Sequence, residues 1–552
     1  MDDIKNELTQ RGFSGDLDDT AEALEFYSHD ASMFELVPKL VIKPKNTKDV
    51  ETAVRLVNEQ KATHPDLSLT ARSAGTDMSG AAINDSIIVD FNKYFREVIS
   101  VQGDIAVTQP GVFFRDFDVA TGDYLLPSYP ASRDLASVGG MINNNSGGEK
   151  SLEFGKTERY VPELKFVFAD GVERVVKPLN KAELDVKMAQ DDFEGKVYKE
   201  LFELIEGNYD VIKAAKPNVS KNSTGYNLWN VWNRETSIFD MTQMIIGAQG
   251  TLGFVTEGTF KLVPRPKHSG LLVLFMRDID GLGELITTVL KHKPATFESF
   301  DDQTLLLVMK FMPSFIKMLG PIKFIHFLFT LIPDGLQLLR GFPKLVLMVE
   351  FNGDTEEEVR AKIRALHKEL GQFKARYEIN GFEEDPTEGS SEKFWIMRRN
   401  SFRLLRSKVK DKHTAPFIDD LIVNPEYLPE FLPQIRDIIK KYKLLATIAG
   451  HMGDGNFHII PLMKLEDPND RAKLLPAMKE VDELVLKYKG SLSGEHNDGL
   501  VRGPWLEQMY GAEIVGLFRA AKDIFDPGHI FNPHKKANAD WDYSFSHIRD
   551  KF

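Results

Sequence analysis

The pattern of apolar and polar positions differs between the first and the second part of this chain. Short apolar runs at residues 40–44 and 87–91 have the length of buried strands. Between them, residues 47–60 predict a helix, because apolar side chains recur at helical spacing at Val50, Ala53, Val54 and Val57. Further strands are predicted at 68–72 and 105–109. Strands, helices and glycine-rich turns therefore alternate here, which predicts an α/β region.

The pattern of apolar positions changes after Pro264-Arg265-Pro266, which predicts a domain boundary there. Beyond it the pattern predicts an α+β domain with strands at 271–275 and 345–351 and helices at 279–292 and 355–370. We expect four parts. A polar, helical lead-in covers residues 1–35, a first domain covers 36–266 and a second domain covers 267–495. A C-terminal segment, 496–552, returns to the first domain.

Residues 311–343 form an unusually apolar and aromatic insertion in the second domain. Its longest stretch without a formal charge, 324–333, has ten residues, whereas a spanning helix needs about 20. The insertion is therefore not transmembrane. We expect it to pack on the second domain or in a homodimer interface, and the alternative is a peripheral membrane contact.

Composition narrows the class of protein. The 552 residues are 42% hydrophobic and 27% charged, which is ordinary for a globular protein. A net charge of −13 argues against a nucleic-acid partner. Because cysteine is absent, redox chemistry would need an organic cofactor or a metal held by histidines and carboxylates. The polar first residues contain no apolar signal core, so the expected compartment is the cytoplasm.

Three loops rich in small residues lie next to predicted strands, at 72–80, 137–148 and 247–257. Small residues let backbone N–H groups approach an anion closely. No loop matches the dinucleotide fingerprint or the P-loop. Each alone is as compatible with a plain turn, but three in this order indicate one extended ligand with a diphosphate.

A histidine-rich region lies near the C-terminus. His451 and His458 are seven positions apart, and the Gly-Asp-Gly-Asn segment between them predicts a tight turn between two strands. With Glu495 they form a plausible set of ligands for Zn²⁺, Mn²⁺ or Fe²⁺. Spacing alone favours ordinary hydrogen-bonding histidines. Glu495 and His496 are adjacent, so on an extended segment they would face opposite sides and serve different purposes.

The order of these motifs resembles the FAD-binding domain of the vanillyl-alcohol-oxidase/p-cresol-methylhydroxylase superfamily, over about residues 35–535. Within it the chain is most similar to the FAD-linked D-2-hydroxyacid dehydrogenases (D-lactate, D-2-hydroxyglutarate and glycolate oxidase large-subunit types). The resemblance implies an α+β fold, with a two-subdomain PCMH-type FAD-binding domain and an α+β cap domain that has an antiparallel sheet.

The resemblance also implies the residues that hold FAD. The bond to FAD is expected to be non-covalent, because cysteine is absent and the first loop has no histidine. The implied FAD-binding residues are Arg72, Ser73, Ala74, Gly75, Thr76, Asp77, Gly80, Pro130, Val138, Gly139, Gly140, Asn143, Asn144, Ser146, Gly147, Gly155, Gly250, Thr251, Gly253, Val255 and Asn532. The sequence departs from the family pattern where glycine is common, at Ser73-Ala74, Asn497 and His534.

The resemblance strengthens the hypothesis that His451, His458 and Glu495 bind a metal. It also implies His496 as the base that takes the hydroxyl proton. The alternative for His496 is a hydrogen-bonding role behind the metal. A 2-hydroxy acid would give a hydride to flavin N5 while a metal lowers the pKa of its hydroxyl.

Substrate binding is assigned to Arg398 and Asn456 by the same resemblance. A guanidinium binds a carboxylate through two parallel N–H bonds, and the alternative for Arg398 is an exposed ion pair. The family's threonine and lysine have no clear match, since Phe402 and Phe417 or Ile418 stand there. Lys412 or His413 would compensate, and the exact substrate stays open.

The expected function is FAD-dependent oxidation of a D-lactate-like acid, with electrons passed to a quinone or a separate redox partner. The protein would be cytoplasmic or peripheral on the inner face of the cell membrane. One alternative is a non-redox flavin enzyme of the ether-lipid synthase type. Another is a non-catalytic flavoprotein subunit of an electron-transfer complex.

Overall fold

The computed structural model describes residues 1–279, 281–310, 342–385, 393–395, 397–398 and 411–550. Almost all of the apolar insertion at 311–343 lies outside the described residues. Its two interpretations therefore stay predictions.

A small, mainly parallel sheet carries the first glycine loop. Its strand order is β1-β2-β4-β3, with β1 antiparallel to β2 and the other two pairings parallel. Helix α3 packs Val50, Val54 and Val57 into the core of this sheet, and the Asn46 side chain caps its N-terminus. The elements are α1 (Asp2–Gln10), β1 (Asp16–Asp18), α2 (Ala21–Tyr27), β2 (Leu40–Lys43), α3 (Thr47–Gln60), β3 (Leu69–Arg72) and β4 (Ile87–Asp90).

A five-stranded antiparallel sheet, in the order β5-β6-β13-β8-β9, organises the next part of the chain. Most of the second loop forms helix α5, and the third loop leads into β13. The elements are β5 (Val98–Gln102), β6 (Ile105–Thr108), α4 (Phe114–Ala120), β7 (Tyr124–Leu125), α5 (Val138–Asn144), α6 (Ser151–Phe154), β8 (Glu163–Val167), β9 (Glu173–Val176), β10 (Leu179–Asn180), α7 (Lys181–Met188), α8 (Phe193–Gly207), α9 (Tyr209–Ala214), β11 (Trp232–Asn233), β12 (Ile238–Phe239), α10 (Thr242–Ile245), β13 (Phe254–Lys261) and β14 (Val263–Pro264).

The cap region is built on an antiparallel sheet, as predicted. Its described strands run in the order β18-β15-β17-β16-β21-β22-β20. The elements are β15 (His268–Met276), α11 (Leu282–Lys291), β16 (Thr296–Asp301), α12 (Asp302–Lys310), β17 (Leu345–Gly353), α13 (Glu356–Gln372), β18 (Ile379–Asp385), β19 (His413–Thr414), β20 (Leu421–Ile422), α14 (Leu428–Lys441), β21 (Ile448–His451), β22 (Asn456–Ile459), β23 (Leu462–Met463), α15 (Pro468–Arg471) and α16 (Leu474–Lys487).

The last part of the chain packs beside β3, next to the first glycine loop. It contains α17 (Gly499–Arg502), α18 (Leu506–Phe525) and α19 (Trp541–Ser546). Leu69 pairs in parallel with Phe531, and the two strands exchange backbone bonds through Ile530 O and Asn532 N. The C-terminal segment therefore extends the first sheet by one short pairing.

The predicted fold class is confirmed, and two local expectations are corrected. The lead-in is not purely helical, because residues 16–18 form β1 and pair with β2. The third loop ends earlier than expected, because β13 begins at Phe254, whose ring packs against Phe531 at 4.9 Å between centroids. In the described part of the chain, no helix has both the length and the apolar character needed to cross a membrane.

Asp482 on α16 is a buried carboxyl group, so the effect of its burial on the stability of the protein can be tested. Burial raises its pKa to about 8, although the charge of Arg502 opposes the shift. The folded protein thus holds a proton that the unfolded chain releases near pH 4, so this group costs stability increasingly between about pH 4 and about pH 8.

We therefore expect Asp482→Asn to raise the melting temperature, with a gain that grows from about pH 5 to about pH 8. Thermal unfolding of both proteins across this range measures the difference. A gain that shrinks as the pH rises would contradict the assignment.

Candidate active site

The two histidines of the 451–458 region lie on a hairpin, as predicted. Strands β21 and β22 pair antiparallel with Ala449 opposite His458, and Gly455 has a left-handed φ of 72° in the turn. The His451 and His458 rings lie 5.2 Å apart at an interplanar angle of 88°. The hairpin therefore brings both imidazoles to one side.

Glu495 closes this group from a distant segment. Its Oε1 lies 3.0 Å from Nε2 of His451 and 3.1 Å from Nε2 of His458. Its Oε2 lies 3.3 Å from Nζ of Lys221, whose side chain is almost fully buried. Two imidazole nitrogens and a carboxylate oxygen that converge in this way fit a divalent cation.

Glu495 and His496 do not separate to opposite sides as an extended segment would require. The segment is not extended, because the chain bends at residues 494–496, and Asn497 follows with a left-handed φ of 69°. One ligand atom each from Asp420, His458, Glu495 and His496 lies within 4.8 Å of the others. The two adjacent residues reach the same site through different partners.

Asp419 holds two of the rings at once. Its Oδ1 lies 3.3 Å from Nδ1 of His458, and its Oδ2 lies 2.5 Å from Nδ1 of His496. The His458 and His496 rings stack with centroids 4.8 Å apart and 23° between their planes. Both rings therefore turn Nε2 away from Asp419.

Asp420 is the next residue, and it serves as an acceptor for the surrounding backbone. Its Oδ2 accepts hydrogen bonds from the backbone N–H of Glu495 at 2.9 Å and of His496 at 2.7 Å, and from the Ser493 hydroxyl. Its Oδ1 accepts from the Asn456 amide at 2.9 Å. Asp420 thus fixes the segment that carries Glu495 and His496.

Glu298, on β16, performs a similar task for His451. Its Oε1 lies 2.5 Å from Nδ1 of His451, and its Oε2 lies 3.2 Å from a guanidinium nitrogen of Arg398. The Arg398 side chain is mostly buried, with 13% of its surface exposed. Arg398 is therefore close to the histidine group and is not an exposed surface arginine.

Asn456 is completely buried. Its amide donates to Asp420 and, at 3.1 Å, to the backbone oxygen of Leu421. Asn456 thus contacts residues that hold the site in place, and its binding to a substrate stays a prediction.

Opposite charges fix the protonation of the group. Burial opposes ionisation of Glu495, but Lys221 and His451 outweigh it and hold the Glu495 pKa well below its usual range. Burial likewise opposes protonation of His458, but Asp419 and Glu495 raise its pKa to about 10. The pKa of His496 is also raised, by Asp419 and Asp420 against the effect of burial. A pocket of ionised carboxylates favours a bound cation, whether a proton or a metal ion.

Sequence reasoning missed Lys221, Glu298, Asp419 and Asp420. A signal was present for the last three, because charged residues interrupt segments that otherwise read as buried strands, at 296–301 and 415–423. Carboxylates in such a run need a partner inside the protein. Lys221 left no comparable signal.

The first glycine loop has the backbone geometry of an anion site. Within the described residues, the backbone N–H groups of Ala74, Gly75, Thr76 and Asp77 donate to no protein acceptor. Gly75 has a left-handed φ of 67°, and a Cβ there would lie 2.5 Å from a nitrogen of Arg72. A row of half-buried, unpaired N–H groups fits the diphosphate of FAD.

The glycine loops and the C-terminal segment meet. Asn143 accepts backbone bonds from Gln249 at 2.8 Å and from Gly250 at 3.2 Å. Asn532 donates its amide to Gln249 O at 2.7 Å and to Ala81 O at 2.9 Å. Ser73 and Ser137 share a hydroxyl contact. One ligand could therefore touch all of these loops.

The predicted FAD-binding residues divide into two sets by exposure. The half-buried set, open to a ligand, is Ser73, Ala74, Gly75, Thr76, Asp77, Pro130, Gly140, Asn143 and Asn144. The buried set is Arg72, Gly80, Val138, Gly139, Ser146, Gly147, Gly155, Gly250, Thr251, Gly253, Val255 and Asn532.

Several members of the buried set pack the loops together. A Cβ on Gly139 would lie 2.4 Å from Pro110, and one on Gly253 would lie 2.5 Å from Phe166. The second loop also borders the histidine group, because the Asn144 amide donates to Glu495 O at 2.9 Å.

Two of the departures from the family's glycines still adopt left-handed backbone. Asn497 and His534 have φ of 69° and 62°. Asn497 is held there by its own side chain, which donates to Gly247 O at 2.8 Å and accepts from Lys536 Nζ at 2.6 Å. His534 stacks on Tyr543 at 3.8 Å. Side-chain contacts thus offset the strain that glycine would avoid.

Comparison with known proteins agrees with this arrangement. Residues 38–176 match an FAD binding domain, and residues 265–536 match the C-terminal domain of FAD linked oxidases. The chain is 28% identical over 535 residues to D-2-hydroxyglutarate dehydrogenase from Pseudomonas putida, covering 96% of this chain and 51% of that protein. It is 25% identical over 546 residues to glycolate oxidase subunit GlcD from Bacillus subtilis, covering 97% and 96%.

Structural similarity shows the same fold. Substrate-bound p-cresol methylhydroxylase aligns with a TM-score of 0.65 at 14% identity, covering 98% of this chain and 96% of that one. The chain spans about half the length (51%) of the first D-2-hydroxyglutarate dehydrogenases that it matches. With both domain matches in order along the sequence, the chain belongs to the FAD-linked oxidases.

Proposed function

We propose that this protein is an FAD-dependent dehydrogenase that oxidises a D-2-hydroxy acid to the 2-oxo acid. The observation that carries the proposal is the convergence of His451, His458, Glu495 and His496 beside the second glycine loop. Relatives named for the oxidation of 2-hydroxy acids support the substrate class.

The oxidation removes a proton from the hydroxyl and a hydride from C2. His496 donates its Nδ1–H to Asp419, so Nε2 is the atom that would accept the hydroxyl proton once a bound cation offsets the carboxylates that favour a protonated ring. His451, His458 and Glu495 would hold a Zn²⁺, Mn²⁺ or Fe²⁺ ion, whose charge acidifies a nearby hydroxyl. The glycine loops would hold FAD non-covalently, and FAD would supply the hydride acceptor.

Arg398 is the proposed anchor for the substrate carboxylate. Its guanidinium is held by Glu298, which also contacts His451, so the anchor and the histidine group are connected through one side chain. Phe417 and Ile418 are buried apolar residues where the family has a lysine. This supports a small, D-lactate-like acid over an acid with a second carboxylate.

We propose that electrons leave to a quinone or to a separate redox partner. Among the described residues there is no iron–sulfur ligand set, because the chain contains no cysteine.

The first prediction concerns the base. Anaerobic mixing of the FAD-loaded protein with D-lactate should bleach the flavin absorbance, and L-lactate should bleach it far less. His496→Ala should keep its FAD yet bleach at least ~100-fold more slowly, because the proton acceptor is gone. Stopped-flow absorbance measures the rate.

His529→Ala is the matched control, because His529 is exposed and pairs with Asp523 rather than with a residue of the site, and it should bleach like the wild type. If no member of a panel of D-2-hydroxy acids bleaches the flavin, the dehydrogenase is excluded. That result would favour a non-redox synthase or a non-catalytic flavoprotein subunit.

The second prediction concerns the metal. Dialysis against a chelator should slow bleaching by D-lactate without releasing FAD, and adding Zn²⁺ or Mn²⁺ should restore it. Glu495→Gln should weaken retention of the metal, because a carboxylate ligand is lost, as measured by elemental analysis. Full activity in chelated, metal-free protein would contradict the metal's role.

The third prediction concerns Arg398. Arg398→Met should raise KM for D-lactate about 10-fold or more, since a charge-assisted hydrogen bond contributes about 1.5–3 kcal/mol. The maximal bleaching rate should fall much less, because the anchor binds the ground state and the transition state alike. Steady-state kinetics with a dye acceptor separates the two, and an unchanged KM would remove Arg398 from the substrate site.

A further inference from the structure

Two buried carboxylates behind the histidine group have the same pattern of contacts. Asp419 places one oxygen on His458 and the other on His496. Glu298 places one oxygen on His451 and the other on Arg398. In each case one oxygen holds a proposed metal ligand, and the other holds a residue that acts on the substrate.

We propose that Asp419 and Glu298 are paired positioning residues, each of which fixes one metal-binding histidine together with one substrate-handling side chain. The inference rests on the proposed function and deepens it. It explains why the site needs two carboxylates that would touch neither the metal nor the substrate.

The geometry around Asp419 fixes the form of both rings. An ionised carboxylate can only accept hydrogen bonds, so Nδ1 of His458 and of His496 must each carry the proton that faces it. Their Nε2 atoms are then presented to the site, one toward Glu495 as a ligand and one toward the substrate as a base. One carboxylate thereby sets the same tautomer in two stacked rings.

Glu298 does the same for His451 and adds a charged partner. Its Oε1 contacts Nδ1 of His451, which leaves Nε2 to face Glu495 at 3.0 Å. Its Oε2 pairs with Arg398 at 3.2 Å. Loss of this carboxylate would therefore release a metal ligand and the carboxylate anchor together.

An amide in either position cannot repeat this pattern. Asn or Gln has one acceptor oxygen, and its NH₂ group would face a ring N–H or a guanidinium, both of which are donors. Because the amide can turn either way, each orientation loses one of the two partners, so both contacts are weakened on average. Asp419→Asn should therefore weaken the hold on both of its rings, and Glu298→Gln should weaken the hold on both His451 and Arg398.

The first arm of the test measures metal affinity without substrate. FAD-loaded wild type, Asp419→Asn and Glu298→Gln are titrated with Zn²⁺ against a competing chelator, with FAD content and melting temperature recorded. We expect each variant to bind Zn²⁺ about 10- to 100-fold more weakly, the usual effect of losing a partner that orients a metal ligand.

Asp482→Asn is the matched control, since it makes the same exchange in a buried cap carboxylate that contacts no imidazole. It should bind Zn²⁺ within about threefold of the wild type. Asp419→Glu, which keeps two acceptor oxygens, should bind Zn²⁺ more tightly than Asp419→Asn.

The second arm separates the two carboxylates by kinetics with D-lactate. Asp419→Asn should mainly lower the maximal rate of flavin bleaching, because it misplaces the base. Glu298→Gln should mainly raise KM, because it misplaces the anchor. A purely structural defect would change the maximal bleaching rate and KM in the same way in both variants.

Zn²⁺ affinities of both amide variants within about threefold of the wild type would overturn the proposal. So would identical kinetic changes in the two variants. If one variant fails to fold, the other carries the metal arm alone. If the wild type bleaches with no hydroxy acid, the proposed function fails, and the Zn²⁺ titration still decides whether these carboxylates position metal ligands.

Discussion

Negative charge buried in the cap organises the rest of the site. Glu298, Asp419, Asp420 and Glu495 are each at most 5% exposed. A carboxylate removed from water is costly unless it is paired and hydrogen-bonded. Here each one finds imidazoles, ammonium or guanidinium groups, or backbone N–H donors, and those partners come from segments far apart in the chain. The carboxylates are satisfied only when these segments meet, so a loss of any one segment would leave a buried charge without its partner.

The segment that follows Glu495 is fixed in the same way. Arg502 donates to the backbone oxygens of Asn497 and Asp419, and Lys536 binds the side chains of Asn497 and Asp498. The left-handed backbone of Asn497, directly after His496, is thus held by Arg502 and Lys536. A base on a firmly held segment keeps its geometry better than one on a mobile loop.

Much of this arrangement could be predicted from the sequence. The hairpin followed from Gly-Asp-Gly-Asn between the two histidines, and the family resemblance followed from the order of the loops. That resemblance implied the antiparallel cap sheet. What failed depended on the path of the backbone. Strand alternation placed Glu495 and His496 on opposite faces, but the chain bends at residues 494–496 and brings them together. Asp419 and Glu298 escaped notice because a carboxylate in an apolar run does not reveal which histidine it will meet.

The pairing of Leu69 with Phe531 also bears on how the molecule is made. Thr70 and Asn532, which share a hydrogen bond, are 462 positions apart in the sequence. During synthesis the first sheet leaves the ribosome long before the residues that complete its edge. The dinucleotide cradle must therefore wait, with part of its backbone unpaired, until residue 532 has been translated, and contacts of such long range slow folding.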